Sequence, residues 1–192
     1  MKFVLPAPCS SVLLREVEWG ELLSALEELE DHPGCRIAYD RGLFELMSPS
    51  VEHEIAKKTL DRLVQALSDE LDIEIRSAGS TTWMRADLLR AIEPDECYYL
   101  QSAPAIRDRW DIALPKDPPP DLVVEVEVTK RSVDRFSIYA SLGMPEIWRY
   151  ENGSVTAYQL REGEYREITN SLAWPGAGAG GPCRLRRPSP NT

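Results

Sequence analysis

Residues 120–128, Pro-Asp-Leu-Val-Val-Glu-Val-Glu-Val, constrain this chain most, because they set carboxylates into a β-branched run where valines are expected. Side chains of a strand alternate between two faces, so Leu122, Val124, Val126 and Val128 share one face and Asp121, Val123, Glu125 and Glu127 the other. One face is core, and the other ends in acid. A glutamate this deep in an apolar run is costly unless it is paired, hydrogen-bonded or bound to a metal, which makes the acidic end of the strand the first place to look for chemistry. An edge strand with a solvated outer face is the competing reading. Val123 on the acidic face favours a strand central to a sheet.

The 192 residues are 43% hydrophobic and 28% charged, ordinary globular usage and enough to bury a real core, so a single domain over residues 1–174 is expected. With 22 basic against 32 acidic residues the formal net charge is -10, which argues against a surface that coats nucleic acid non-specifically but not against local contact. Cys9, Cys35, Cys97 and Cys183 are scattered, with neither CxxC nor histidine at ligand spacing, so no zinc site or disulfide framework is indicated and a reducing cytoplasm fits. Residues 1–14 hold one lysine and an apolar run broken by Pro6 and Pro8, a poor match to a secretory signal. No stretch is long enough to span a membrane.

The periodicities describe a mixed α and β domain. Leu22, Leu23, Leu26 and Leu29 lie at helical spacing within 19–30, and His32-Pro33-Gly34 stops that helix. Strands at 36–39 and 43–47 are joined as a hairpin by Asp40-Arg41-Gly42. Ser48-Pro49-Ser50 opens a second helix to about residue 71, with Ala56, Leu60, Leu63, Val64, Leu67 and Leu71 in one apolar stripe. Strands are expected at 73–77, 81–84 and 93–100, then the acidic strand, approached through four prolines in the six residues 115–120. A third helix spans 132–142, ended by Gly143 and Pro145, and Asn152-Gly153 joins strands 146–150 and 154–160. Residues 175–192, rich in Gly, Ala and Pro and then Arg, have no buryable face and read as a disordered tail.

Three constellations carry candidate chemistry. Glu93-Pro94-Asp95-Glu96 is an acidic turn ahead of Cys97-Tyr98-Tyr99-Leu100, which alone reads as a surface turn. Glu125 and Glu127 stand about 6–7 Å apart along their strand, close enough to share a metal ion or to hold a metal and a water, whereas Asp121 is about 13 Å from Glu125 and does not easily join them. Glu52-His53-Glu54 opens the second helix, with His53 directed along the Leu60 and Leu67 stripe and Glu54 placed to pair with Lys58. A satisfied core-edge histidine and a surface ion pair are the bland alternatives.

Taken in order, GSTTWMR, EPDECYYL, DPPPDLVVEVEVT and DRFSIYASLGMPEIWRYENG resemble the Uma-type family, a large bacterial group of restriction-endonuclease-like domains in the PD-(D/E)XK nuclease superfamily. The resemblance covers roughly residues 19–174. It implies a restriction-endonuclease-like mixed β-sheet flanked by α-helices and a metal-dependent site cleaving DNA phosphodiester bonds. By the same resemblance, Asp95 and Glu125 are the acidic ligands of Mg²⁺ or Mn²⁺, Glu127 orients water or adds a ligand, and His53 matches a position near the start of the family's long helix.

One departure from the superfamily pattern bears on catalysis. The lysine expected two residues after Glu125 is Glu127, and the position four before Tyr139, where relatives carry lysine, is Arg135. Arginine keeps the charge and can grip a phosphate, but it does not serve as a general base. Lys130 is the nearest alternative cation. Three readings therefore stay open: a Mg²⁺-dependent endodeoxyribonuclease, a non-catalytic interaction domain that kept the fold, and a metal-dependent hydrolase of a small phosphorylated substrate. DNA is the expected partner, and a homodimer is compatible with any of the three.

Overall fold

The computed structural model describes residues 6, 7, 9–29, 34–128 and 131–175. In chain order the elements are β1 (Ser11–Leu14), α1 (Trp19–Leu29), β2 (Arg36–Asp40), β3 (Leu43–Met47), α2 (Val51–Glu70), β4 (Arg76–Ser77), β5 (Trp83–Arg85), β6 (Arg90–Ile92), β7 (Glu96–Tyr99), α3 (Ala103–Ile106), β8 (Leu122–Glu127), α4 (Arg135–Leu142), β9 (Glu146–Glu151), β10 (Ser154–Arg161) and β11 (Glu164–Ile168).

Local chemistry accounts for the main boundaries. The Ser50 side chain accepts the backbone N–H of His53 at 3.1 Å, and Glu52 and Glu54 place negative charge in the first turn of α2, where the helix dipole favours it. Asp134 caps α4 in the same way, accepting from the Ser137 backbone, so this helix begins at Arg135 rather than at the expected residue 132. Gly143 ends it in the left-handed region at φ 78°, a conformation that a Cβ would strain. Asn152 and Gly153 both have positive φ, 51° and 81°, matching the turn that suits the twist of β9 and β10.

The strands form two sheets, β1-β3-β2-β6-β5 and β11-β10-β9-β8-β7-β4. The first is antiparallel throughout; the second is mixed, since β8 and β9 run parallel with α4 as their crossover. β8, the acidic strand, is therefore interior, with β7 on one side and β9 on the other. Its Leu122, Val124 and Val126 pack with Ala56, Leu60 and Val64 of α2. Val123, on the opposite face, joins Ile138, Tyr139 and Leu142 of α4 and Ala38, Trp83 and Ile92 of the first sheet. Both faces are covered, which is why the run is almost continuously β-branched. A third cluster seats α1, through Leu22 and Ala25, on Ile37, Tyr39, Phe44 and Leu46 of the β2–β3 hairpin.

The strand expected over 93–100 shortens to Glu96–Tyr99 in the second sheet. Arg90–Ile92, just ahead of it, pairs in the first sheet, and the chain changes sheets through Glu93-Pro94-Asp95. Pro94 has no N–H for a ladder, so the break falls where continued pairing is least favourable. The strand expected over 73–77 shortens to Arg76–Ser77, and β1, β6, α3 and β11 add to the elements expected from periodicity. The stop at His32-Pro33, Lys130 and the tail beyond 175 lie outside the described residues.

Candidate active site

The antiparallel register of β7 and β8 pairs Glu96 with Val124, Cys97 with Val123 and Tyr98 with Leu122. Asp95 immediately precedes β7, at the end of the ladder next to Glu125. The Asp95 carboxylate closes this end of the ladder, accepting the Val126 backbone N–H at 2.7 Å through Oδ2. Asp95 is wholly buried and Glu125 nearly so. Two carboxylates are thus held side by side inside the protein, where they persist only if positive groups surround them.

Four side chains supply that charge or a hydrogen bond in its place. The capped start of α2 fixes His53, whose Nε2 lies 3.1 Å from Asp95 Oδ1 but outside hydrogen-bond alignment, leaving Oδ1 buried without a hydrogen-bond donor. Arg135, in the first turn of α4, donates from Nε and Nη2 to Glu125 Oε1 at 3.0 and 2.8 Å, and Nη2 also donates to the Glu93 carbonyl. The Tyr139 hydroxyl, one turn further on, donates to the same Glu125 oxygen. Arg131, on the approach to α4, donates from Nη2 to the Val126 carbonyl at 3.1 Å, and that nitrogen is 3.5 Å from Asp95 Oδ2 and 3.6 Å from Glu125 Oε2. Because one nitrogen neighbours both, the two carboxylate oxygens are no farther apart than the sum of those distances.

The protonation states follow from these contacts. Burial alone would raise the Asp95 pKa, but the His53 imidazole and then the charges of Arg131 and Arg135 outweigh it and hold the carboxyl at about 2. Burial would likewise lower Arg135, yet the carboxylate of Glu125, followed by Tyr139 and Asp95, raises it above the usual arginine range. Arg135 therefore stays charged. Glu93 is shifted the other way, its pKa raised by burial, although its carboxylate accepts a 2.7 Å hydrogen bond from Thr82.

Glu125 faces a cleft of about 320 Å³ together with Glu127, Arg131, Arg135, Phe136 and Arg149. Glu127 is half-buried, and its ion pair to Arg149 is long, at 3.9 Å. Arg149 lies against the rings of Phe136 and Tyr158, 5.6 and 5.2 Å from their centroids, so its guanidinium is oriented by packing. Three arginines and three acids, Glu125, Glu127 and Asp134, line this opening, so the cleft is balanced in charge where the chain as a whole is acidic, and its guanidinium groups can meet a phosphate.

All five candidates from the sequence meet at this place: Asp95, Glu125 and His53 inside it, Arg135 at its wall and Glu127 at its mouth. Asp121 does not. Its carboxylate accepts from the backbone of Leu100 and Ser102 and from the Ser102 hydroxyl, bracing the turn before α3. Glu54 also differs from expectation, lying 3.5 Å from His53 Nδ1, while Lys58 reaches Glu96 and Asp61. Arg131 escaped the sequence reading, as did Glu45, a buried acid of β3 that accepts the Ser132 backbone N–H at 2.8 Å. Glu45 did leave a signal, since alternation sets it between Leu43 and Met47 on one face of its strand.

A family model named Uma2 and described as "Putative restriction endonuclease" matches residues 23–174. The chain belongs to the Uma2 family. No match was found among curated proteins. The Uma2 match takes in every residue of the cluster, from His53 through Asp95 and Glu125 to Arg149, and the mixed sheet flanked by helices agrees with a restriction-endonuclease-like fold. Among the described residues no helix is long and apolar enough to cross a membrane.

Proposed function

We propose that this Uma2 protein is a metal-dependent endonuclease that hydrolyses DNA phosphodiester bonds in the cytoplasm. The observation that carries the reading is the convergence of two buried carboxylates, Asp95 and Glu125, at the base of an arginine-lined cleft. Among the described residues no three His, Cys, Asp or Glu side chains form a metal cluster. The donors at hand are the two carboxylates, with an unsatisfied Asp95 Oδ1, and the Val126 carbonyl. They fit Mg²⁺ or Mn²⁺, hard ions that take oxygen ligands and, in the case of Mg²⁺, keep several waters when one or two carboxylates bind them. Such an ion supplies Lewis acidity at a scissile phosphate and acidifies an attacking water.

The chain's own residues divide the remaining work. Arg135 orients Glu125 through two hydrogen bonds, while Arg149 and the outer part of the cleft receive phosphate oxygens. Since Arg135 cannot accept a proton, that task falls to Glu127, the carboxylate at the mouth. The arginines of the cleft are the contacts it offers to the phosphates of DNA in a chain whose net charge is -10.

Metal-dependent nicking of supercoiled plasmid tests the arrangement. Arg135→Lys is expected to retain cleavage, because lysine keeps a cation beside Glu125. Arg135→Ala is expected to lose it and to unfold more easily by about 3–5 kcal/mol, as breaking a buried ion pair does. Equal nicking by both variants and wild type would place the reaction elsewhere, and no nicking by any of them would favour a binding domain that kept the fold.

A further inference from the structure

Arg131 occupies the point on which the candidate ligands converge. Its Nη2 is the shared neighbour of Asp95 Oδ2, Glu125 Oε2 and the Val126 carbonyl, so it touches both carboxylates and the carbonyl proposed above for a divalent ion. The side chain is 9% exposed, and its Nη1 is buried without a hydrogen-bond partner. We infer that Arg131 is a displaceable internal cation, which holds the acids together in the metal-free protein and swings into the cleft when a divalent ion takes its place. The inference rests on reading Asp95 and Glu125 as metal ligands.

Charge and anchoring both select Arg131 as the group that leaves. Asp95 and Glu125 carry two negative charges, already opposed by Arg131 and Arg135. A divalent ion added without loss of either arginine would leave the buried cluster strongly positive, which a low-dielectric interior penalises. Arg135 is fastened by Glu125, the Glu93 carbonyl and Tyr139. Among the described residues Arg131 has one hydrogen bond, to Val126, and ion-pair distances of 3.5 and 3.6 Å. It also lines the cleft, so its displaced guanidinium enters the space where a phosphate would lie. Metal and a phosphate-bearing substrate would then bind with positive coupling, because the cation released by one becomes a contact for the other.

The test is Mn²⁺ binding by titration calorimetry to the full chain as wild type, Arg131→Met and Glu125→Gln. Methionine retains much of the aliphatic length without the charge. Arg131→Met is expected to bind Mn²⁺ at least about fivefold more tightly than wild type, and Glu125→Gln to lose binding. A second readout uses wild type alone: phenylglyoxal modification of Arg131, mapped by peptide mass spectrometry, should rise when Mn²⁺ is added to the protein in chelator-free buffer. This keeps the inference testable if Arg131→Met does not fold. Equal affinity in wild type and Arg131→Met, with loss in Glu125→Gln, would overturn the displacement and leave the metal site standing; so would unchanged modification of Arg131 by metal that demonstrably binds. Absence of Mn²⁺ binding in every protein would overturn the metal reading and this inference together.

Discussion

At the scale of the residue, the central fact is a pair of buried acids ringed by cations, which keep Asp95 ionised. Asp95 has a folded-state pKa of about 2, below its ordinary 3.8, so its native state favours the ionised form. The stabilisation is present above about pH 4 and is lost as pH falls toward 2. On the order of 2 kcal/mol is at stake over that window. Urea unfolding of wild type and Asp95→Asn should therefore differ most near neutral pH and converge in acid; a gap that stays constant through the window would contradict the assignment. Glu125 was legible in the sequence because an acid is conspicuous in a valine run, whereas Asp95 lay in a turn that alone reads as surface and was singled out by the family resemblance. Arg131 was not, since an arginine between elements carries no period, and its role exists only because the end of β7 meets β8 beside it.

At the scale of the element, α2 matters because it delivers His53 to Asp95. The Ser50 cap fixes the first turn, and Ala56, Leu60 and Val64 seat the helix on β8. Ser50→Ala is expected to destabilise the protein by about 1 kcal/mol in thermal or urea melts, with no change in content of other elements. A shift within experimental error would mean that packing alone sets the start of the helix. α2, the β2–β3 hairpin and the β9–β10 hairpin were readable because caps, turn residues and periodicity agreed there. The passage from β6 to β7 was not. Residues 93–100 carry enough β-forming side chains to read as one strand, and the change of sheet depends on partners distant in sequence. β11 was missed for a related reason, as exposed Glu164, Arg166 and Glu167 leave little apolar alternation in a strand paired only along β10.

At the scale of the molecule, the second sheet is closed at its far side by a short return of the chain. Glu146, fully buried, accepts from the Ser171 hydroxyl and from the backbone of Leu172 and Ala173, and Trp174 packs on Trp148 at 5.2 Å. A chain ended at Pro175 should keep the thermal midpoint of the full chain, whereas one ended at Asn170 should lose more than about 3 kcal/mol, since it uncovers an apolar cluster and leaves Glu146 short of donors. Similar midpoints for both truncations would show that the return contributes nothing. The architecture that results, a mixed sheet whose central strand ends in acid beside an arginine-lined cleft, bears on function through one proposal: that Asp95 and Glu125 act together with a divalent ion on DNA. The most direct measurement is the single-turnover rate of plasmid nicking across a Mg²⁺ series for wild type and Glu125→Gln, two chains that differ by one oxygen-for-nitrogen exchange. Saturable, chelator-sensitive cleavage by wild type, reduced at least about a hundredfold in the variant, is the predicted result; equal rates in the two proteins, or cleavage indifferent to Mg²⁺, would contradict it.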